Sequence, residues 1–335
     1  MTKKGAIATT SSHSALYNII PGAIEEGLSI HVVCFDRDWP LWQQYPNILE
    51  KINVIRVKHF NDSDEIVRKL NTIEEDCIVV PHGSFVRYLT VKNLKQLIHP
   101  IFGGVKILAY EGFRNRNTGL LAASGITIPK VYKDANSIDK PVMVKVHGAE
   151  GGKGYFIAHD KEDFQKKSKG KNVDFIQEYV SGVSIYGHYF SSPLLNRCEL
   201  LGFDRRLESN ANSQYLVSTE EPSFTVVGNV PIVVRESLIP EYQKMGENFV
   251  KQTGLVGPFC IETIVTNDPK IYAFEFSGRI VAGTTIWVPY GNTYANNLWG
   301  EQMYMGKRIA REIRTAFEQN KINEIIVDSP NLEDV

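Results

Sequence analysis

Over its first 110 residues the chain alternates short β-branched apolar runs with helix-forming segments, and from Pro141 it becomes one strand after another. This change of texture limits the available folds more than any other feature. The apolar runs of the first part are "GAIATT", "SIHVVCF", "INVIRVKHF" and "CIVVPHG". Between the first two lies "SALYNIIPGAIEEG", a helix that Pro21 should kink or break. "DSDEIVRKLNTI", between the last two, opens on acidic cap residues and reads as a second helix. Strands joined by crossover segments build a parallel sheet, and such sheets bind ligands beyond the carboxyl ends of their strands. "TTSSHS" and "PHGSF" stand at two such ends.

The junction "YEGFRNRNTGLLAASGITIPKVY" reads as a polar turn, a short helix closed by Gly125, and an extended connector. The strands expected after it are "PVMVKVHG", "GYFIAHD", "VDFIQEYV", "SIYGHYFSS" and "CELLGFDRR". A helix, "PEYQKMGENFVKQTG", precedes the strand pair "GPFCIETIV" and "KIYAFEFSG". The last helix is "GEQMYMGKRIAREIRTAFEQN", and "SPNLEDV" reads as a frayed acidic tail. The 335 residues suffice for two or three domains with cores of their own. A net charge of −1 without a long basic run argues against nucleic-acid and membrane partners. No leader-like or membrane-spanning apolar segment is visible, so a soluble cytoplasmic protein is expected. Cys34, Cys77, Cys198 and Cys260 lack C-x-x-C spacing and are expected as buried, reduced thiols.

The stretch "VKVHGAEGGKGYF", Val144 to Phe156, carries four glycines and two lysines. It is not a P-loop, because Lys153 is followed by Gly154 rather than a hydroxyl residue. It is not a dinucleotide fingerprint either, because the spacing fails and the following residues read as a strand. Glycine backbone N–H groups can approach phosphate oxygens closely, and Lys145 and Lys153 can neutralise them. Two plainer alternatives stay open: a flexible hairpin turn, and a strand lysine at Lys145 that simply faces solvent.

The hairpin "FCIETIVTNDPKIYAFEFSGR" has turn residues at Thr266–Pro269. If it is symmetric about the Asp268–Pro269 junction, Val265 faces Tyr272 and Glu262 faces Glu275. Directly opposed carboxylates sit about 4.5–5.5 Å apart at Cβ and repel, which a divalent cation turns into binding. Ile261, Phe274 and Phe276 are then expected on the other face. The alternatives are a different register, or one carboxylate paired with Arg279.

Together these pieces resemble the ATP-grasp superfamily. Its fold clamps ATP between two α+β subdomains, with a strand lysine and glycine loop over the phosphates and two carboxylates below them. "FIQEYVSG" resembles the hinge that reads adenine and ribose, placing Glu178, Tyr179 and Val180 there. The chain departs from the usual Glu-x-Asn metal motif, having Glu275-Phe276-Ser277 with Arg279 nearby. A closer likeness is carried by "ATTSSHSAL", "VVPHGSF", "VKVHGAEGGKGYFIA", "QEYVSG", "ELLGFDRRLESN", "VVGNVPIVVRESLIP", "FEFSGRI" and "MGKRIAREI" in that order. They resemble the archaeal 5-formaminoimidazole-4-carboxamide ribonucleotide (FAICAR) synthetases, ATP-grasp ligases of purine (IMP) biosynthesis.

The resemblance implies an N-terminal Rossmann-like parallel α/β domain, residues 1–122, for substrate, and an ATP-grasp domain, residues 123–335, with a lid at about 130–200. It implies that formate, activated by ATP, formylates 5-aminoimidazole-4-carboxamide ribonucleotide (AICAR). It assigns His13, Ser84 and Asn229 to the ribonucleotide. Lys145, Gly151, Gly152, Lys153, Glu178, Tyr179, Val180 and Glu208 go to ATP, and Glu262 and Glu275 to magnesium or manganese. Lys145, Arg279 and His13 are the catalytic candidates, His13 as base. Family members often form symmetric homo-oligomers. Two other readings stay open: a ligase of the same fold with another amine or carboxylate, and a nucleotide-binding paralogue without catalysis.

Overall fold

The computed structural model describes residues 5–59, 62–150, 153–208 and 226–333. In the first part β1 (Ala6–Thr10), β2 (Ser29–Phe35), β3 (Asn53–Val57) and β4 (Cys77–Val79) form one sheet in the order β3-β2-β1-β4. Every pairing in it is parallel. All five residues of β1 are buried, as the inner strand of a sheet covered on both faces requires. The helix Ser63–Leu70 is capped by Asp62, whose carboxylate accepts the Glu65 N–H at 2.9 Å.

Pro21 does not break its helix. A π-helical segment, Ala15–Ile19, runs straight into the α-helix Ile20–Glu25, with Pro21 in the first turn. The Ile20 N–H donates to the Ala15 carbonyl five residues back. Widening the turn at this point accommodates both the ring and the missing N–H of the proline. His13 and Tyr17 therefore stay one turn apart on a continuous element, with their rings 4.8 Å apart edge to face.

The second part has two antiparallel sheets. In the smaller, β5 (Val142–Glu150) lies between β6 (Lys153–Ala158) and β7 (Val173–Glu178) over a core of its own that includes Val142, Val144, Phe156, Phe164 and Ile176. The larger runs β10-β9-β8-β11-β12, from β8 (Val183–Ser192), β9 (Arg197–Glu208), β10 (Val226–Ile232), β11 (Gly257–Val265) and β12 (Ile271–Ser277). Phe203, Phe259, Ile261 and Phe276 from one face of this sheet share a core with Tyr242, Met245 and Phe249 of the helix Ile239–Thr253. Residues of alternate parity, among them Asp204, Tyr186 and Glu262, point to the other face. Strand alternation thus separates an apolar face, which holds the sheet on its helix, from a face free to carry chemistry.

The outer edge of β12 is covered by the helix Arg114–Ala123. The Asn117 amide donates to the Phe276 carbonyl at 2.9 Å and accepts the Phe276 N–H at 3.0 Å, taking the place of a further strand.

Four local expectations need correction. The hairpin holds Glu262 opposite Glu275, but a bulge after Glu262 pairs Val265 with Ile271 and Ile264 with Tyr272. The extra residue re-aims Phe274, which packs with Tyr186 and Cys260 rather than with Ile261 and Phe276. The expected last helix, residues 300–320, is shorter, Met305–Glu318, and a helix that was not expected, Thr293–Trp299, precedes it and ends where Gly300 takes φ 68°. "YEG" belongs to a short helix, Lys106–Glu111, rather than a turn. The described part of the acidic tail is docked: Leu332 joins the core and its carbonyl accepts Lys106 Nζ at 3.1 Å, while Asp328, just ahead of the tail, accepts the Val105 and Lys106 N–H groups, the latter at 2.8 Å. Asp328 thereby caps a helix more than two hundred residues earlier in the chain. Its replacement by Ala should cost about 1 kcal/mol, as other helix caps do, read as a lower urea midpoint with an unchanged slope. An unmoved midpoint would mean that the tail is not a structural element.

Candidate active site

Glu262 and Glu275 face each other across β11 and β12. Glu262 is 3% exposed, and Arg206 donates to it at 2.7 Å while lying 4.2 Å over the Tyr186 ring. Burial raises the Glu262 pKa to about 7; the Glu275 charge adds to the rise, and Arg206 and Arg279 oppose it. The structure thus holds a second carboxylate against an already desolvated one, an arrangement that favours a cation between them. No cluster of three or more acidic, histidine or cysteine ligands occurs among the described residues. Two carboxylates suit magnesium, which takes its remaining ligands from phosphates and water.

Lys145 is the third member of this end of the site. It is 7% exposed, so it does not face solvent as an isolated strand lysine would. Its ammonium lies 5.5 Å from the Tyr155 ring and 5.7 Å from the Phe175 ring. Burial lowers its pKa, and Glu275 followed by Glu262 pulls it back up, which places the ammonium in the field of the carboxylate pair.

Arg279 pairs with neither of these carboxylates. It donates to Glu111 at 2.7 Å, and the other Glu111 oxygen accepts the Gly278 N–H at 2.9 Å. The buried Arg279 Nε meets no hydrogen-bond acceptor among the described residues. A parallel bridge between His82 and Ile280 brings the loop after β4 against the end of β12. An added Cβ on Gly83 would lie 3.7 Å from the Arg279 guanidinium carbon, so the loop residue next to Ser84 in the chain lies against Arg279. His82 is held neutral, with its pKa lowered to about 4 by burial, and its Nε2 bonds the Thr10 carbonyl at 2.9 Å.

His13 and Asn229 line a cleft of about 730 Å³ with Leu16, Tyr17, Ile48 and Ile286. The cleft lies between the start of the first helix and the outer edge of the larger sheet. Ser84, Lys145 and the carboxylate pair are not among its lining residues. At the end of β7, the Glu178 and Tyr179 N–H groups already donate to the Lys130 and Pro141 carbonyls, each at 2.8 Å, and the Glu178 carboxylate takes Lys140 at 2.9 Å. Val180 follows, half-buried. Gly151 and Gly152 lie outside the described residues. Lys153 opens β6 and Glu208 ends β9, paired with Glu150 and Val226 respectively, while their side chains lie outside what is described.

Sequence reasoning misses Glu111, which sits in what reads as a polar turn, and the buried pair His188–Asp204 beside Asn229. The period-two spacing of Tyr186 and His188 in β8 and of Asp204 and Arg206 in β9 is the available signal for the latter.

Comparison with known proteins places this geometry. Residues 7–132 match "Protein of unknown function (DUF1246)" and residues 160–327 match "Domain of unknown function (DUF1297)". A 5-formaminoimidazole-4-carboxamide-1-(beta)-D-ribofuranosyl 5'-monophosphate synthetase of Ignicoccus hospitalis is 39% identical over 96% of this chain and 96% of its own. The chain belongs to the FAICAR synthetase family. A second member of that family, from Saccharolobus solfataricus, is 38% identical over 96% of this chain and 99% of its own. Among solved structures, the IMP biosynthesis protein PurP of Thermococcus kodakaraensis superposes with a TM-score of 0.75 at 27% identity, covering 95% of this chain and 99% of that one. An ADP-bound N5-carboxyaminoimidazole synthetase of Staphylococcus aureus gives a TM-score of 0.66 at 14% identity over 90% of this chain and 79% of its own. The chain therefore has the fold of the FAICAR synthetases, a parallel α/β domain followed by an ATP-grasp fold. No helix among the described residues is long and apolar enough to cross a membrane.

The raised Glu262 pKa has a definite sign. A carboxyl whose folded pKa lies above its unfolded value stabilises the fold below the unfolded pKa and loses that contribution as pH rises through the folded one. The metal-free protein should therefore lose stability between about pH 4.5 and 7. Glu262→Gln should flatten that part of the profile in urea melts. An identical slope in wild type and variant would show that Glu262 is not desolvated in the folded protein.

Proposed function

We propose that the chain is an ADP-forming ligase that uses ATP and formate to formylate AICAR, giving FAICAR. The observation that carries this reading is the buried Lys145 in the field of the Glu262–Glu275 pair, which stands on the chemistry-bearing side of a sheet whose far edge borders the His13–Asn229 cleft. From β12 to β10 there are four strand spacings of about 4.8 Å, so the two ends lie roughly 19 Å apart. Residues on this one face would hold the two substrates, ATP at the Glu262–Glu275 end and the ribonucleotide at the cleft.

Formate is a poor acyl donor because its leaving group would be oxide. In the first step a formate oxygen attacks the γ-phosphorus, the bond to the β-phosphate oxygen breaks, and ADP leaves. In the second, the AICAR amine attacks the formyl carbon, phosphate departs with the former formate oxygen, and the nitrogen loses a proton. Lys145 offsets phosphoryl charge in both steps, at a site where burial makes its charge count for more than in water. Arg279, fixed by Glu111 and with Nε unengaged, is positioned for an anionic oxygen. Glu262 and Glu275 would hold magnesium or manganese, which supplies positive charge to the phosphates. Partial burial lowers the His13 pKa from its ordinary value, which favours the neutral imidazole able to take the amine proton.

Val180 and neighbouring carbonyls read the adenine, since the N–H groups of Glu178 and Tyr179 are occupied. Gly151, Gly152 and Lys153 cover the phosphates, and Glu208 completes the nucleotide pocket. Ser84 contacts the ribonucleotide from the loop beside Arg279. The division at residue 122, with the lid at about 130–200, belongs to the same reading, as do a cytoplasmic setting and assembly as a homo-oligomer.

ADP release should require ATP, a divalent cation, formate and AICAR together. Lys145→Ala should lower kcat by about a hundredfold or more with little change in the KM for AICAR, and His13→Ala should lower kcat at least tenfold. Turnover with other amines in place of AICAR, or full activity of the Lys145 variant, would defeat the proposal.

A further inference from the structure

Beneath the cleft, three side chains form a chain of hydrogen bonds for which the two-step formyl transfer has no role. Asn229 Nδ2 donates to Asp204 Oδ2 at 2.6 Å, and the other Asp204 oxygen, Oδ1, is taken by His188 Nε2. Asp204 and His188 are each 1% exposed, whereas Asn229 is half-buried and lines the cleft. Asp204 and His188 come from the paired strands β9 and β8, and Asn229 from β10 on the other side of β9. Gly283 closes over the group, for an added Cβ there would lie 3.0 Å from both Asp204 oxygens. A carboxylate at this position is buried, held from two sides and unable to turn.

The chemistry of the donors sets the direction of each bond. An ionised carboxylate only accepts, so His188 carries its proton on Nε2 and Asn229 must present its NH2 group to Asp204. Burial alone would push the Asp204 carboxyl up, yet the hydrogen bonds from His188 and Asn229, with Arg206 nearby, bring its pKa below the usual value, so the anionic form persists. With one Nδ2 hydrogen committed to Asp204, the amide cannot exchange its two ends, and its oxygen is the acceptor it keeps for a ligand. An asparagine free to turn can exchange its oxygen and its NH2 group; this one is held in one orientation, with one Nδ2 hydrogen spent on Asp204 and its oxygen unspent.

We propose that Asp204, backed by His188, is a positioning residue that locks the Asn229 amide with its oxygen toward the cleft, selecting a ribonucleotide whose base presents an N–H. AICAR has two such groups, the 5-amine and the carboxamide. An acceptor fixed in advance spares the amide its rotational freedom on binding and rejects bases that present only acceptors there, since these leave a desolvated oxygen facing a lone pair. The inference rests on the reading of the cleft as the ribonucleotide site.

A double-mutant cycle on the full enzyme tests it, with KM for AICAR, KM for ATP and thermal midpoint measured for Asn229→Ala, Asp204→Asn and the pair. Asn229→Ala should raise the KM for AICAR about tenfold or more and leave that for ATP within about twofold. Asp204→Asn, which keeps the shape but permits the amide to turn, should raise the KM for AICAR in the same selective way. Combined with Asn229→Ala it should add nothing, because Asp204 acts through Asn229. Full additivity, or an unchanged KM for AICAR in Asp204→Asn, overturns the positioning role. An unchanged KM in Asn229→Ala instead refutes the cleft assignment itself, and the positioning role falls with it. Should Asp204→Asn fail to fold, Asn229→Asp asks the question from the cleft side, keeping an oxygen there while removing the N–H that Asp204 accepts. Loss of AICAR affinity matching Asn229→Ala supports the lock, and retained affinity overturns it.

Discussion

Glu262 and Glu275 are held opposite each other on adjacent strands, one of them almost wholly out of water. Two carboxylates so placed repel, and each loses hydration on folding, so the arrangement persists only if cations surround it. Arg206 is drawn onto Glu262 from β9, Lys145 is buried toward the pair from the smaller sheet, and Arg279 contributes its charge from the end of β12 while anchored on Glu111. Much of the site's architecture follows from this one electrostatic demand. It explains why a lysine is buried in β5 and why Arg206 crosses the strands rather than pointing to solvent.

The demand can be met only because the larger sheet is divided by face. Its apolar side is fixed to the helix Ile239–Thr253, with Tyr189 stacked on Phe259 at 4.9 Å and Phe249 against Phe276 at 4.9 Å. A second clamp ties the sheet to the helix Met305–Glu318. Arg308, fully buried, donates to Glu199 at 2.8 Å and to Glu312 at 2.8 Å, and lies 3.9 Å over Phe190. Removing one member of such a network would strand a buried charge, so it fixes the relative placement of strand and helix. That helix also packs on the first helix of the parallel domain, where Asn18 accepts the Gly306 N–H at 2.7 Å. The cleft wall that carries His13 is thereby held in register with the wall that carries Asn229.

Alternation and turn chemistry make much of this legible. The parallel sheet, the Asp62 cap, the β-rich second part and the opposition of Glu262 to Glu275 all follow from local patterns. A symmetric hairpin predicts the opposition and the real, bulged one keeps it, because the extra residue of the bulge, Phe274, restores the register that the turn had shifted by one. What is not legible depends on contacts between distant segments. Nothing local says that Lys145 will be covered by Tyr155 and Phe175, or that Asp328 will cap a helix in the first part of the chain. Pro21 misleads because a π-turn is a backbone solution that residue propensities do not reveal. His188 and Asp204 look like ordinary strand residues, and only the register of β8, β9 and β10 puts them under Asn229.

In the proposed reaction, formate passes from ATP to the amine as a formyl phosphate along one face of the larger sheet. Oxygen-18 in formate follows that path without disturbing the protein. A single turnover with doubly labelled formate should leave one labelled oxygen in the released phosphate and one in the formyl group of the product. Released phosphate free of label would mean that formate never displaced ADP from the γ-phosphorus, and would contradict the formyl phosphate path.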